Sequence, residues 1–295
     1  MKKFLAAALA ALMCFGLAAC SSSKDAGSSN TNQSEEQGEQ AGGETSEKPV
    51  LRVGMECGYA PYNWTQSDDS NGAVPIQDSS DYAYGYDVMM AKYLADQMGY
   101  DLQIYKIAWD SLPPAVQSGK IDCAIAGQSI TSERLQTVDF TTPYYYASVV
   151  GLTRDDTAFK DAQSVADLAG AKVTSQMNTI WYDVLSQIPD ANILPAMESA
   201  PDMLVALASG KVDAVVTDQP TAMAACVAYP NMVMLEFDGE NGFEVSDEEV
   251  NIGISVKKGN TELLDKLNAA LATLTTDDFT AMMNDAIAKQ PLSGE

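Results

Sequence analysis

"SGKIDCAIAGQ" runs from Ser118 to Gln128, and "SGKVDAVVTDQ" from Ser209 to Gln219, 91 residues further on. In each phrase a glycine (Gly119, Gly210) ends a helix-like segment, a Lys-x-Asp step makes a tight turn, and an unbroken apolar run follows. An apolar run without alternation suits a strand covered on both faces. Two readings stand: one unit built twice into two similar lobes, or ordinary helix–turn–strand grammar used twice. The copies part company at Gly127 and Asp218, read as the first residues past the strand ends. Ligands of open α/β sheets bind at such carboxyl ends.

The flanks extend the pattern. "LRVGM" (Leu51–Met55) reads as a strand. "YDVMMAKYLADQMG" places Val88, Ala91, Leu94, Ala95 and Met98 at helical spacing and stops at Gly99. "DLQIYKI" is the next strand. Ser111 is suited to cap a helix that holds Pro113 and Pro114 in its first turn, and Ile121–Ala126 is a third strand. The second half repeats the order: "SVADLAGAKVTS" a short helix and a strand, "PDMLVALASG" a helix, Val212–Thr217 a strand, Pro220 the start of another helix. "VNIGISVKKGN" reads as a strand, and "TELLDKLNAALATL" and "DDFTAMMNDAIAKQ" as closing helices. Such alternation predicts α/β architecture with doubly wound sheets.

The N-terminus is of another kind. Lys2 and Lys3 precede an apolar stretch, Phe4–Leu17, too short for a good membrane span. "LAAC" then resembles a bacterial lipobox, which implies removal of residues 1–19 and lipid on the sulfur of Cys20. Residues 21–48 contain no aromatic or large aliphatic side chain and read as a flexible tether. Net charge is −24, which argues against nucleic acid and anionic lipid as partners. The absence of histidine excludes His-based triads and the commonest metal ligand. No catalytic residue, metal or cofactor is expected. Of the five cysteines, Cys14 leaves with the signal and Cys20 takes lipid. Cys57, Cys123 and Cys226 remain, an odd number that makes no complete disulfide framework.

Four stretches together resemble the polar amino-acid binding proteins of bacterial ABC importers, solute-binding protein family 3. They are "VGMECGYAPYNW", "GYDVMMAKYLADQMG", "WDSLPPAVQSGKIDCAIAGQSITSERLQTVDFTTPYY" and "GNTELLDKLNAAL". The resemblance implies a two-lobed periplasmic-binding-protein-like fold (type II), each lobe a mainly parallel, doubly wound sheet with helices on both faces. Lobe 1 is expected at 50–147 plus 251–295 and lobe 2 at 148–250. The crossings are expected near Tyr146–Val149 and Val245–Asn251. It further implies a monomeric lipoprotein outside the cytoplasmic membrane, anchored by lipid alone. Its partners would be a free polar amino acid and the importer's permease with its cytoplasmic ATPase.

An amino acid offers one carboxylate and one ammonium. The first suits a guanidinium and backbone N–H groups, the second a carboxylate and neutral acceptors. "GQSITSER" holds Arg134, the only arginine between Arg52 and Arg154, at what reads as a helix start from Thr131. By resemblance, Arg134 pairs with the ligand carboxylate. Ser129 offers its N–H to the carboxylate and its hydroxyl to the ammonium, the Gly127 carbonyl faces the ammonium, and Asp218 binds it. Read from the residues alone, Asp218 caps the helix opened by Pro220, meets a ligand, or does both. Tyr59 matches a lid position within a loop that also holds Tyr62 and Trp64, and Trp109 and Leu112 match apolar pocket positions. Glu56 stands where relatives place an acid against a cationic or amide side chain. Where the family has Gly and two small hydroxyl residues, this chain has Asn178, Thr179 and Ile180, which with Gln176 remodel the pocket. Two alternatives stand beside transport: a cyclohexadienyl dehydratase on the same fold, and an extracellular sensor module.

Overall fold

The computed structural model describes residues 48–291. The signal segment, Cys20 and all but the last residue of the tether lie outside the described residues. Within residues 48–291 no helix is long and apolar enough to cross a membrane.

β1 (Val50–Met55) opens the fold with Leu51, Val53 and Met55 fully buried. A small antiparallel sheet follows, from β2 (Gly58–Tyr59), β3 (Asn63–Gln66), β4 (Val74–Pro75) and β5 (Tyr82–Tyr84), in the order β2-β3-β5-β4. α1 (Tyr86–Met98) buries Val88, Met90, Ala91, Leu94 and Ala95 and ends at Gly99 in the left-handed conformation. β6 (Asp101–Lys106), α2 (Leu112–Ser118), β7 (Cys123–Ala124) and β8 (Val138–Phe140) complete the first half. β9 (Tyr145–Tyr146) leads into β10 (Val149–Arg154), β11 (Lys172–Thr174), α3 (Ile180–Asp183), β12 (Asn192–Ile193), α4 (Ala200–Ala208), β13 (Ala214–Asp218), α5 (Gln219–Ala228) and β14 (Met232–Leu235). α6 (Asp247–Val250), β15 (Asn251–Ile252), β16 (Ser255–Lys257), α7 (Thr261–Leu271) and α8 (Thr276–Lys289) close the chain.

The two large sheets share one topology. The first runs β6-β1-β7-β16-β8 and the second β12-β11-β13-β10-β14. In each, the first three strands are parallel and the fourth lies antiparallel to both neighbours. The sheets are therefore mixed rather than purely parallel. Each antiparallel strand is the one that follows a passage between sheets. The chain leaves the first sheet through β9 and returns through β15, and those two strands pair, Tyr146 with Asn251 and Tyr145 with Ile252. The two-lobed α/β fold is thus laid out as two five-stranded sheets joined by a pair of crossing strands.

The repeated phrase has the same hydrogen bonds in both sheets. Gly119 and Gly210 sit at φ 76° and 74°, a left-handed turn that glycine makes without strain. Lys120 N–H bonds Ala115 O at 3.0 Å and Lys211 N–H bonds Ala206 O at 3.0 Å. Asp122 N–H meets Arg52 O while its carboxylate takes Arg52 N–H at 2.8 Å. Asp213 N–H meets Lys172 O while its carboxylate takes Lys172 N–H at 2.9 Å. Each Asp thus locks the start of one strand to its neighbour. Leu152, Leu207 and Val215 fill the core behind the second copy, and Leu112, Val116 and Ile121 that behind the first. Each such buried aliphatic side chain contributes about 2 kcal/mol.

Several expectations change. The strand expected over Ile121–Ala126 pairs in register only at Cys123–Ala124, extended by the Asp122 and Ile125 N–H bonds to β1. Asp218 is the last residue of β13, opposite Val149, rather than the first beyond it. Ser111 gives α2 no side-chain cap, because residues 109–111 form a 3-10 turn that runs straight into the helix. "VNIGISVKKGN" is two strands, broken where Gly253 passes Ile130 too closely for a Cβ. The helix start at Thr131 is a turn followed by a single 3-10 turn, Arg134–Gln136. The cysteine reading does not change: Cys57, Cys123 and Cys226 are free thiols.

Candidate ligand-binding site

β1 ends at Met55, so Glu56 and the loop to Trp64 emerge at the carboxyl edge of the first sheet. Gly127–Arg134 emerges beside it from β7. The second sheet presents Gln176–Ile180 after β11 and Asp218 at the end of β13. These four segments meet. Tyr59 donates its hydroxyl to Asp218 Oδ2 at 2.5 Å. Trp109 Nε1 donates to Met177 O at 3.1 Å, and Asn178 Nδ2 donates to Asp110 Oδ1 at 2.7 Å. Gln176 Nε2 lies 3.4 Å from Glu56 Oε1.

Arg134 bridges both sides. Its Nη1 donates to Ser129 O and its Nη2 to Asn178 O, each at 2.8 Å, and its guanidinium lies 5.1 Å from the centre of the Trp109 ring. Among the described residues it meets no carboxylate in an ion pair, unlike Arg52 with Asp122 and Arg154 with Asp156. Burial pushes its pKa down to about 10. Glu133 and Asp183 oppose that shift only by their charge, and an arginine held by carbonyls and an aromatic face, with no close carboxylate, is suited to a planar anionic guest.

Two acids, Glu56 and Asp218, stand in the same segments. Burial pushes Glu56 up to about 7, and Asp110 and Asp87 add to it by repulsion, against the Gln176 bond. Glu56 Oε2 and the Tyr62 hydroxyl are buried without a hydrogen-bond partner, a costly condition for polar atoms unless something else completes them. Tyr62 is fully buried and stacks on Tyr59 at 4.8 Å between ring centres. Asp218, also fully buried, caps α5 through Thr221 N–H at 2.9 Å and takes the Thr221 hydroxyl at 2.9 Å. Burial raises its pKa against these bonds and that of Tyr59. Cap and cleft contact are thus combined in one carboxylate.

The remaining candidates are placed as follows. Gly127, at φ 62°, lies under Tyr59, whose Cε1 would sit 2.8 Å from an added Cβ. Ser129 is buried and bridges to Ile252 of β15. Trp109 is buried under Arg134, and Leu112 is fully buried beside Gly54 of β1. Asn178 adopts φ 55°, the left-handed conformation that glycine supplies freely and asparagine tolerates. That keeps the turn expected of Gly and adds a side chain that reaches Asp110. Thr179 caps α3, and Ile180 begins it. Sequence reasoning missed Asp87, Asn63 and Tyr144. Asp87 is fully buried and accepts from Asn63 Nδ2 at 2.7 Å and from the Tyr144 hydroxyl at 2.6 Å. Burial pushes it up to about 6.

Comparison with known proteins bears on the fold and the family. The chain is 28% identical over 284 residues, 95% of its length and 96% of the relative's, to a probable histidine-binding protein of Campylobacter jejuni. It superposes with TM-score 0.68 on an amino acid ABC transporter substrate-binding protein of Streptococcus pneumoniae bound to L-arginine. That match is 26% identical and covers 81% of this chain and 94% of the other. It also matches an ancestral amino-acid-binding protein described as a precursor of cyclohexadienyl dehydratase, at TM-score 0.64 and 29% identity over 81% of this chain and 95% of that one. The sequence pattern of the bacterial extracellular solute-binding proteins, family 3, matches residues 51–287. The chain belongs to that family.

Proposed function

We propose that this chain is the substrate-binding lipoprotein of an ABC importer and captures a polar amino acid between its two lobes. The observation that carries the reading is Arg134, an arginine bridging both sides of the cleft with carbonyl and aromatic neighbours and, among the described residues, no ion-pair partner. In this reading it takes the ligand carboxylate together with the Ser129 N–H. Asp218, the Gly127 carbonyl and the Ser129 hydroxyl take the ammonium. Tyr59, Tyr62 and Trp109 form the apolar wall, with Leu112 in the core behind β1 rather than in the wall, and Asn178, Thr179 and Ile180 close it from the second lobe.

The unpartnered Glu56 Oε2 favours a ligand whose side chain carries a donor, and most of all a cation. Arginine binding by the Streptococcus pneumoniae relative and the histidine-binding name of the Campylobacter jejuni relative support the same class. Lobes of 50–147 plus 251–295 and of 148–250 would close about the β9–β15 crossing. A ligand touching both would favour the closed form by its differential contacts, and the permease with its ATPase would receive that form. Lipid on Cys20 and the tether would hold the monomer outside the cytoplasmic membrane.

The chain is not an enzyme in this account, and turnover of prephenate or arogenate would overturn that. The direct test is a thermal-shift panel of the twenty amino acids on residues 47–295, one compact unit. A ligand at 100 times its Kd adds about 2.7 kcal/mol. Arginine, lysine, histidine or glutamine is expected to raise the midpoint most. No shift with any amino acid contradicts the proposal.

A further inference from the structure

Asp87 stands in the first turn of α1, fully buried, and among the described residues it pairs with no lysine or arginine. A buried carboxylate without a cation is expensive unless hydrogen bonds hold it. Its bonds lead to two places. Oδ2 accepts from Asn63 Nδ2 at 2.7 Å, and Asn63 Oδ1 accepts the Cys57 N–H at 2.7 Å, directly after Glu56. Oδ1 accepts from the Tyr144 hydroxyl at 2.6 Å, and that hydroxyl accepts the Gly127 N–H at 3.1 Å. The Asp87 backbone adds a third hold, its N–H bonding Tyr62 O at 2.8 Å. Tyr144 is fixed in turn by stacking on Tyr86 at 5.7 Å, and by the Tyr86 hydroxyl on its carbonyl.

We propose that Asp87 is the positioning residue of the ligand site: through Asn63 and Tyr144 it ties the two segments that carry the lobe 1 contacts, Glu56–Tyr62 and Gly127–Arg134, to the start of α1. This rests on the amino-acid-binding reading above. Asp87 touches no ligand. It orients Gly127 through an N–H bond and Glu56 through the adjoining N–H, so the geometry of both ends of the site depends on one carboxylate. Cys57, at φ 53°, is a non-glycine residue in the left-handed region, held there by its N–H on Asn63 Oδ1 and by the Thr65 hydroxyl on its carbonyl.

The test compares the full chain in detergent with Asp87→Asn, Tyr144→Phe and the double variant, by calorimetric titration with L-arginine, L-lysine, L-histidine and L-glutamine. The Gly127 amide proton is followed by NMR. Tyr144→Phe removes one hydroxyl and keeps the stacked ring, so it reports even where Asp87→Asn does not fold. Each single variant is expected to weaken binding about tenfold, the scale of a lost charge-assisted hydrogen bond. The double variant is expected to be no weaker than the worse single one, because both cut one path. The Gly127 amide resonance moves in each. Affinity within twofold of the parent, with lowered thermal stability alone, overturns the positioning role, and so does full additivity. A parent chain that binds none of the four amino acids overturns the underlying reading instead, and the unmutated titration separates that outcome from the others.

Discussion

The ends of β7 and β13 differ where their beginnings agree. Up to Asp122 and Asp213 the two copies make the same turn, the same hydrogen bonds to the preceding helix and the same lock on the neighbouring strand. Beyond that, the first copy ends in Gly127, bare under the Tyr59 ring and bonded through its N–H to Tyr144. The second ends in Asp218, which caps its own following helix and takes the Tyr59 hydroxyl from the other side. The shared part is scaffold and local in sequence. The divergent part takes its partners from outside the repeat, and it brings Tyr59, which lies over Gly127, onto the Asp218 carboxylate.

The contrast breaks most visibly at Gly127. Gly127→Ala combines a left-handed φ, worth about 1–2 kcal/mol, with overpacking against Tyr59, worth about 1–3. Urea unfolding without ligand is expected to show a loss of about 3 kcal/mol, against at most about 1 kcal/mol for Asp218→Asn, which keeps a helix cap and an acceptor for the Tyr59 hydroxyl. Equal losses at the two sites contradict the asymmetry. Glu56 gives the next effect. Burial, helped by repulsion from Asp110 and Asp87 and opposed by the Gln176 hydrogen bond, raises its carboxyl from an ordinary 4.5 to about 7. Its contribution to stability is therefore fully present below pH 4.5 and lost as the pH rises through about 7, a change of about 3 kcal/mol. Arginine binding, which favours the ionised form, is expected to strengthen over the same rise. Unfolding and titration between pH 5 and 8 check both, and Glu56→Gln should flatten each profile. The smallest effect tests the shared scaffold. Gly119→Ala and Gly210→Ala should each cost about 1 kcal/mol and agree within about 0.5. A wide gap between them would mean that the two turns are not equivalent.

What the sequence made legible follows the same division. The helix stop, turn and strand of each copy are fixed by neighbours within a few residues, and both were readable. The antiparallel fourth strand of each sheet was not, because it depends on where the chain crosses between lobes. Arg134, Asp218 and Tyr59 stood out by residue type and by likeness to a family. Their mutual contacts did not, since Tyr59 and Asp218 are 159 residues apart. Asp87 did not stand out, because Asn63 and Tyr144 stand 24 and 57 residues away. Ser111 was misread for the opposite reason: its type suits a cap, but the preceding 3-10 turn already supplies the helix entry.

The central claim is that Arg134 receives the carboxylate of a ligand whose other charges face Glu56 and Asp218. The most direct measurement is calorimetric titration of the parent chain and Arg134→Ala with L-arginine and with agmatine, its decarboxylated analogue. L-arginine should bind the parent far better than agmatine, and Arg134→Ala should weaken L-arginine by at least about 2 kcal/mol, roughly 30-fold, while leaving agmatine nearly unchanged. Equal affinity of the parent for both ligands, or L-arginine binding untouched by Arg134→Ala, would contradict the account.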